Sequence, residues 1–285
     1  MPVTLPAFVL VGVPRAGTTS LYRYLGQHPQ VWLSEIKEIN FLSYPGEEVA
    51  ASRYPWLRFP VRTIEEYERL FARGPGQVAV DFSASCFRSP VAIDRIRRFV
   101  PDARLFVVLR DPVARAWSAY LTRVQKRYES RPPHEAMVRG EPVVDNSFYS
   151  ERLEAFQAAF GADRLRVWLF DDLTERPAAT VAEVFAFLGV DPEVPVDLST
   201  VYNKGGVPRS AALHRLLPGY QRRRQLASAL PAPIRAAARR VWHLNQAPAP
   251  TLPPEVATRL RALYRDDVLR VERLIGRDLG TWLDN

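Results

Sequence analysis

The segment 12–19, GVPRAGTT, is the first candidate for chemistry in this sequence, and it follows the apolar run FVLV. Its pattern, G-x-x-x-x-G-T-T, differs by one residue from the phosphate-binding loop G-x-x-x-x-G-K-[ST]. Thr18 stands where that loop has the lysine that reaches the terminal phosphates of a nucleoside triphosphate, and Arg15 is the basic residue instead. A strand, a glycine-bearing turn and a helix predict backbone N–H groups that point at an anion from the positive end of a helix dipole.

The hydroxyl side chains of Thr18, Thr19 and Ser20 begin the helix expected after this turn, and Ala16 and Gly17 lie inside the loop. A capping turn that uses glycine for tightness is the simpler interpretation. An apolar strand, the full motif and a helix together are more than capping requires. The sequence therefore predicts that the backbone N–H groups of residues 15–20 bind a phosphate.

A second basic residue follows another apolar run, in VVLRDP at residues 107–112. Arg110, at the expected end of a strand, can make charge-assisted hydrogen bonds to a phosphate, and Ser118 lies two turns into the helix expected after it. A triphosphate site also needs a lysine in the loop and an acidic residue for magnesium, and neither is evident in these motifs. The two motifs therefore favour a smaller anion that is bound without a metal ion.

A third loop, YNKGGVPRS at residues 202–210, combines two glycines with basic side chains. Successive backbone N–H groups in such a loop form an anion-binding nest, and a flexible hinge is the alternative interpretation. On the first interpretation, the residues that would contact the anion are Lys204, Gly205, Gly206 and Arg209.

The composition is that of a globular protein with an anionic partner. The chain has 285 residues, 47% of them hydrophobic, and a formal net charge of +8, and no apolar run approaches the length of a membrane span. Abundant Arg, Ala and Pro are typical of a GC-rich bacterial genome. Cys86 is the single cysteine, which excludes an intrachain disulfide and agrees with a cytoplasmic setting. The basic charge favours phosphorylated or sulfated ligands, and no nucleic-acid-binding signature accompanies it.

Four short apolar runs, at 7–12, 77–81, 104–110 and 165–170, alternate with helical patterns, which predicts an α/β fold with a central, mostly parallel sheet flanked by helices. We expect a single domain over 1–285. Within it, 43–75 would form an insertion over the site and 128–147 a mobile loop. The segment 211–285 would form a helical C-terminal elaboration that ends with a helix at 254–275.

The segments VGVPRAGTTSLYRYLGQHPQV and VVLRDPVARAWSAYL together resemble the sulfotransferases that use 3′-phosphoadenosine 5′-phosphosulfate (PAPS), in particular their bacterial and heparan-sulfate-type branch. The similarity continues through KEINFL, FAFLGV, NKGGVPR and GRDLGTW, and it implies a three-layer fold of the P-loop type. It also implies that residues 15–20 bind the 5′-phosphosulfate, with Arg15 in place of the family's loop lysine. Arg110 and Ser118 would bind the 3′-phosphate, and the segment 204–209 would close over the 3′-phosphoadenosine.

The resemblance also points to a general base in the segment EIKEINFL. Its heparan-sulfate-type branch has a glutamate three residues before an aromatic residue here, and Glu38 and Phe41 hold these positions. Glu35 is the competing carboxylate, and Lys37 would touch the sulfuryl group or tune Glu38. Phe82 replaces a lysine that the family often has near the acceptor, which argues against a highly sulfated polysaccharide acceptor.

We therefore expect a cytoplasmic sulfotransferase that moves a sulfuryl group from PAPS to a hydroxyl of a small-molecule or glycan acceptor, with an amine as the second choice. Displacement at sulfur would be in line, with Glu38 as the base, Arg15 stabilising the leaving phosphate and no metal ion. Two alternatives stay open. One is a P-loop kinase or nucleoside triphosphatase, and the other is a basic anion-binding module that contacts a membrane surface through 221–243.

Overall fold

A parallel five-stranded sheet forms the centre of the molecule, with the strands in the order β2-β3-β1-β4-β5. The structure, a computed structural model, describes residues 5–53, 57–72, 74, 76–200, 206–208 and 246–284. The strands are β1 Phe8–Gly12, β2 Val31–Leu33, β3 Val78–Phe82, β4 Arg104–Leu109, β5 Leu165–Leu169, β6 Gly206–Pro208 and β7 Gln246–Pro248. The helices are α1 Thr18–Leu25, α2 Glu47–Arg53, α3 Ile64–Arg69, α4 Ala92–Phe99, α5 Pro112–Lys126, α6 Pro133–Ala136, α7 Pro142–Asp145, α8 Ser150–Phe160, α9 Phe170–Glu175, α10 Pro177–Leu188 and α11 Pro254–Ile275.

The chain divides into two units that each combine separate stretches of sequence. The first unit comprises Met1–Asp111, Tyr149–Asn203 and Asp267–Leu279, and it contains the sheet. The second comprises Pro112–Phe148, Lys204–Asp266 and Gly280–Asn285. Helix α11 contributes residues to both.

The strands of the first unit are apolar because the sheet is covered on both faces. All five residues of β1 are buried, and so are all residues of β4 after Arg104. Phe8 of β1 pairs in register with Val80 of β3 and with Arg104 of β4. Parallel strands need helical crossovers, which bury both faces of such a sheet and replace alternation with continuous apolar runs. The α/β fold with a central parallel sheet flanked by helices, expected from the sequence, is confirmed.

The order of the strands fixes where a ligand site can form. The chain passes from β1 to β2 and β3 on one side, and then crosses to β4 and β5 on the other. In open α/β sheets, ligands bind outside the carboxyl ends of the strands where the direction of winding reverses. That point lies beside β1, so the loop after β1 and the residues that follow β3 and β4 are the expected site.

The helices of the first unit begin and end at recognisable signals. A capping box starts α3, because the Thr63 side chain accepts from the Glu66 N–H while the Glu66 side chain accepts from the Thr63 N–H. Helix α10 has Pro177 in its first turn and ends at Gly189, which is left-handed with φ 73°. These signals account for where α3 begins and for where α10 begins and ends.

The second unit contains α5, α6, α7, the antiparallel pair of strands β6 and β7, and the first part of α11. Arg115 is buried and donates to the Val143 carbonyl over 3.2 Å and to Ser147 Oγ over 2.8 Å. Tyr264 Oη donates to the Val144 carbonyl over 2.9 Å. The segment 128–147, expected to be a mobile loop, contains the two short helices α6 and α7, and buried donors hold them.

The remaining expectations on organisation have mixed outcomes. Strand β2 was missed because only three residues pair, and two of them are half-buried. The expected insertion at 43–75 contains α2 and α3, and the expected last helix matches α11 at both ends. The whole of 211–245, including the basic segment 221–243, lies outside the described residues. Within the described part of the chain, no helix is long and apolar enough to cross a membrane.

Candidate active site

The loop between β1 and α1 makes a tight turn that two glycines permit. A Cβ atom on Gly12 would lie 2.6 Å from Phe87 Cβ, so no larger residue fits at the end of β1. Gly17 has φ 76° and forms the N-cap of α1. The chain thus leaves the sheet and enters the helix within a few residues, as the motif predicted.

The N-terminus of α1 carries no acidic residue in its first turn and no side-chain cap. The first N–H groups of a helix have no partners within the helix, and the helix dipole gives this end a partial positive charge. Ala16 and Thr18 are buried, whereas Thr19 and Ser20 are half-buried. This end of α1 therefore has the donors and the polarity of an anion site.

Arg15 lies in the middle of the loop with φ 79°, a left-handed conformation that is uncommon for a side chain of this size. Its side chain is half-buried. Its backbone carbonyl accepts a hydrogen bond from Arg110 Nη1 over 3.0 Å. Two arginines from separate motifs therefore meet at the carboxyl end of the sheet, although they are 95 residues apart in sequence.

Three contacts hold Arg110, which follows β4. Besides the bond to Arg15, its guanidinium carbon lies 4.4 Å from the centre of the Phe170 ring, and its backbone carbonyl accepts from Tyr149 Oη over 2.9 Å. Burial lowers the pKa of Arg110, and the nearby Asp111, Tyr149 and Asp171 oppose that shift. The guanidinium stays charged at neutral pH because the ordinary pKa of arginine lies far above neutrality.

Phe170 was missed in the sequence analysis, and it links the two motifs. Its ring supports Arg110 on one side and reaches the loop on the other. A Cβ atom on Gly17 would lie 3.0 Å from Phe170 Cδ2. The only local signal was an aromatic residue at the end of the predicted fourth strand. Because many buried strands end in an apolar residue, this signal did not distinguish Phe170 from a core residue.

Lys37 and Glu38 form an ion pair on the segment after β2. Lys37 Nζ lies 2.7 Å from Glu38 Oε1, and the two side chains are 20% and 35% exposed. Glu38 has φ 61°, and its N–H donates to the Phe82 carbonyl at the end of β3 over 3.0 Å. The carboxylate of Glu38 is therefore accessible to solvent, while its backbone is fixed to the sheet. Glu35, the competing carboxylate, is exposed as expected.

The interpretation of Phe82 as a residue near the acceptor needs correction. Phe82 is only 2% exposed, and its ring packs edge-on against Tyr22 and Phe106. It belongs to the core because it is the last residue of β3, whose last four residues are all buried. The aromatic ring therefore says nothing about the acceptor, and only the loss of the family's lysine bears on it.

The comparisons with known proteins show similarity to sulfotransferases. A model of the "Sulfotransferase family" matches residues 62–193, which include Arg110. A sulfotransferase structure from Alicyclobacillus acidocaldarius is 25% identical, with a TM-score of 0.72, and the alignment covers 98% of this chain and 99% of the other. The chain is therefore similar to sulfotransferases in sequence and in fold.

The alignments to curated sulfotransferases extend over nearly the whole chain, beyond the residues 62–193 that the family model matches. The mouse bifunctional heparan sulfate N-deacetylase/N-sulfotransferase 4 is 25% identical over 98% of this chain, and the chain spans 31% of that enzyme's length. The human heparan sulfate glucosamine 3-O-sulfotransferase 3B1 is 26% identical over 97% of this chain, which spans 65% of that enzyme. The chain thus corresponds to a part of each of these sulfotransferases.

Of the other predicted site residues, two belong to the second unit and three are not described. Ser118 is half-buried on α5, in the second unit, and its carbonyl accepts from Thr122 Oγ1 over 2.8 Å. Gly206 begins β6 and pairs with Pro248. Lys204, Gly205 and Arg209 lie outside the described residues. The structure therefore brings together the loop 15–20, Arg110 and the added Phe170, with Lys37 and Glu38 on the same unit.

Proposed function

We propose that this protein transfers a sulfuryl group from PAPS to a hydroxyl of a small-molecule or glycan acceptor, with an amine as the second choice. The observation that carries the proposal is that Arg110 contacts the loop before α1. Its guanidinium donates to the Arg15 carbonyl and lies over the Phe170 ring, which packs beside the loop. PAPS carries two separate anionic groups, the 5′-phosphosulfate and the 3′-phosphate. The loop before α1 would bind the first, and Arg110 would bind the second.

The 5′-phosphosulfate would bind at the N-terminus of α1. The fit rests on the acid-free first turn and on the space that Gly17 leaves beside Phe170. Backbone N–H groups of residues 15–20 and the hydroxyls of Thr18, Thr19 and Ser20 would donate to its oxygens. Arg15 would stabilise the negative charge that grows on the leaving phosphate.

The 3′-phosphate would bind to Arg110. One of its five N–H donors is bonded to the Arg15 carbonyl, and a phosphate can take others as charge-assisted pairs. Phe170 limits the guanidinium to one plane, which lowers the conformational entropy lost on binding. The family resemblance assigns Ser118, Lys204, Gly205, Gly206 and Arg209 to the same end of the nucleotide.

Glu38 would act as the general base. PAPS, when bound, supplies the sulfuryl group. The acceptor oxygen forms a bond to sulfur as the bond from sulfur to the 5′-phosphate oxygen breaks, and the acceptor proton goes to Glu38. Lys37, paired with Glu38, would orient the carboxylate and compensate charge near the sulfuryl oxygens. A half-exposed carboxylate with a fixed backbone suits this task, because the acceptor must reach it from solvent.

The proposal is tested by an acceptor screen with isotope-labelled PAPS, scored by the mass gain of a sulfuryl group. We expect transfer to an oxygen acceptor without added divalent metal, and unchanged activity after treatment with a chelator. Glu38→Gln is the matched control, because it keeps the nucleotide contacts while it removes the base. Absence of transfer, together with magnesium-dependent phosphoryl transfer from ATP, would replace this proposal with a kinase or triphosphatase function.

A further inference from the structure

A buried carboxylate lies beneath the Lys37–Glu38 segment, and the proposed chemistry does not use it directly. Asp81 is the fourth residue of β3, and its side chain is fully buried. Its two oxygens accept hydrogen bonds from neutral hydroxyls, Oδ1 from Ser83 Oγ over 2.7 Å and Oδ2 from Tyr67 Oη over 2.8 Å. A buried charge with neutral partners is costly, so its presence needs an explanation.

Asp81 is connected to the backbone that carries Glu38. Ser83 Oγ, which donates to Asp81, accepts from the Asn40 N–H over 3.0 Å. Because the carboxylate can only accept, the hydroxyl hydrogen of Ser83 points to Asp81, and its lone pairs face Asn40. The Glu38 N–H donates to the Phe82 carbonyl on the same strand end. Both ends of the segment 38–40 are therefore tied to β3.

This segment needs such ties because its backbone is strained. Glu38 has φ 61° and Asn40 has φ 58°, both in the left-handed region. Residues other than glycine are strained in that region, and such conformations persist only where the surroundings fix them. Removing the Ser83 hydroxyl would free the Asn40 N–H and let the segment relax.

The Asn40 side chain extends the same network. Its Nδ2 donates to the Arg58 carbonyl over 2.7 Å, and its Oδ1 accepts from Ser85 Oγ over 2.5 Å. Ser85 Oγ is also 2.8 Å from Ser43 Oγ. Asn40, Ser43, Ser83 and Ser85 are all buried. A satisfied buried network of this kind favours a single conformation, and here it fixes the residues next to Glu38.

We propose that Asp81 is a positioning residue for Glu38, acting through Ser83 and Asn40 to hold the Glu38 carboxylate in its place beside Lys37. This inference rests on the proposed role of Glu38 as the base. Asp81 does not contact the acceptor, since it is fully buried. Its effect on turnover must therefore pass through the backbone of the segment 38–40.

Three variants separate positioning from plain stability. Ser83→Ala and Asp81→Asn interrupt the path to Asn40. Tyr67→Phe removes a hydrogen bond from the same carboxylate but leaves that path intact, so it is the matched control. We expect the first two to lower kcat by about tenfold to a hundredfold, the range that a small misplacement of a catalytic group produces. The KM for PAPS should stay constant, and Tyr67→Phe should keep most of kcat.

A double-mutant cycle and an activity-free measurement complete the test. In a Glu38→Gln background, Ser83→Ala should cause no further loss of kcat, because it acts through Glu38. Amide hydrogen exchange at Asn40 should become faster in Ser83→Ala and Asp81→Asn but not in Tyr67→Phe. Equal losses of kcat in both backgrounds, or unchanged exchange at Asn40, would overturn the inference. A wild-type protein that transfers no sulfuryl group, with exchange altered as expected, would count against the proposed function instead.

Discussion

Two buried aspartates at the carboxyl end of the sheet differ in their partners and in the direction of their pKa shifts. Asp172, on α9 after β5, accepts from Arg277 Nη1 over 2.5 Å and Nη2 over 2.9 Å, and from Arg176 over 3.3 Å. Burial alone would raise its pKa, but the hydrogen bonds from Arg277 prevail and hold it below its usual range. Burial of Asp81, with a smaller contribution from the charge of Glu38, raises its pKa to about 6.

We call the region around β1, β4 and β5, where arginines contact Asp172 and the loop before α1, the cationic half of this end of the sheet, and the region around β3 the acidic half. Arg15 and Arg110 lie around β1 and β4, where the two phosphate groups are proposed to bind. Glu38 and Asp81 lie around β3, where the proposed base would take up a proton. Variants in the cationic half should therefore change nucleotide affinity, and variants in the acidic half should change turnover or its dependence on pH.

The largest effect is expected at Glu38. A positioned base contributes about a hundredfold to ten-thousandfold in rate, so Glu38→Gln should lower kcat by that range. Affinity for 3′-phosphoadenosine 5′-phosphate (PAP) should stay nearly unchanged. Glu35→Gln is the control, because Glu35 is exposed on the same segment. Steady-state kinetics measures kcat, and calorimetry measures the affinity for PAP. A comparable loss of kcat in Glu35→Gln would indicate that Glu35 is the base.

The two aspartates should differ in how they change stability with pH. The pKa of Asp81 is raised from 3.8 to about 6, so its favourable contribution is present below about pH 4 and is lost as pH rises through 6. This loss amounts to roughly 3 kcal/mol. Asp81→Asn should remove that part of the pH dependence, as measured by denaturant unfolding from pH 4 to pH 7.

Asp172→Asn provides the contrasting case. Its pKa is lowered, so its contribution to the free energy of unfolding is present above its unfolded value and is lost as pH falls through its folded value. The variant should therefore differ from wild type mainly above pH 4, with the difference shrinking in more acidic solution. Identical pH profiles for the two variants would refute the distinction between the halves.

Arg110→Ala should weaken PAP more than it weakens adenosine 5′-phosphate, which lacks the 3′-phosphate. Charged hydrogen bonds to phosphate contribute about 1.5 to 3 kcal/mol, which corresponds to roughly ten- to 150-fold in Kd. Arg97→Ala, an exposed arginine on α4, is the control. Equal weakening of the two nucleotides would mean that Arg110 acts only through its contacts with Arg15 and Phe170.

The smallest effect is expected at Arg277. Its side chain is 40% exposed and it pairs with the buried Asp172, to which Arg176 also remains bonded. Arg277→Ala should lower the free energy of unfolding by about 1 to 2 kcal/mol, a value reduced for solvent screening. Thermal unfolding would measure this loss of stability, and the affinity for PAP should stay unchanged. A large loss of affinity for PAP would indicate that the ion pair between Arg277 and Asp172 supports the nucleotide site.

The sequence predicted the features that local patterns encode. Continuous apolar runs identified β1, β3, β4 and β5, and the loop motif placed Gly12 and Gly17 at a turn that admits no side chain. The short strand β2 could not be predicted, because three residues are too few to show a periodic pattern of apolar side chains.

Contacts between distant segments escaped the sequence analysis. Arg277 and Asp172 are 105 residues apart, and Tyr149 and Arg110 are 39 apart. Phe82 was misjudged because its position in an aligned motif does not reveal which way a strand-end side chain points. Asp81, an acid at the end of an apolar run, was overlooked for the same reason, since its burial depends on Tyr67 from α3.

Binding of PAP without metal tests the central claim most directly, because it requires the loop before α1 and Arg110 to act as one nucleotide site. We predict that PAP raises the melting temperature in the presence of a chelator. At a hundred times its Kd the stabilisation should be about 2.7 kcal/mol. ATP with magnesium at the same concentration should stabilise much less. Equal or greater stabilisation by ATP with magnesium would contradict the account.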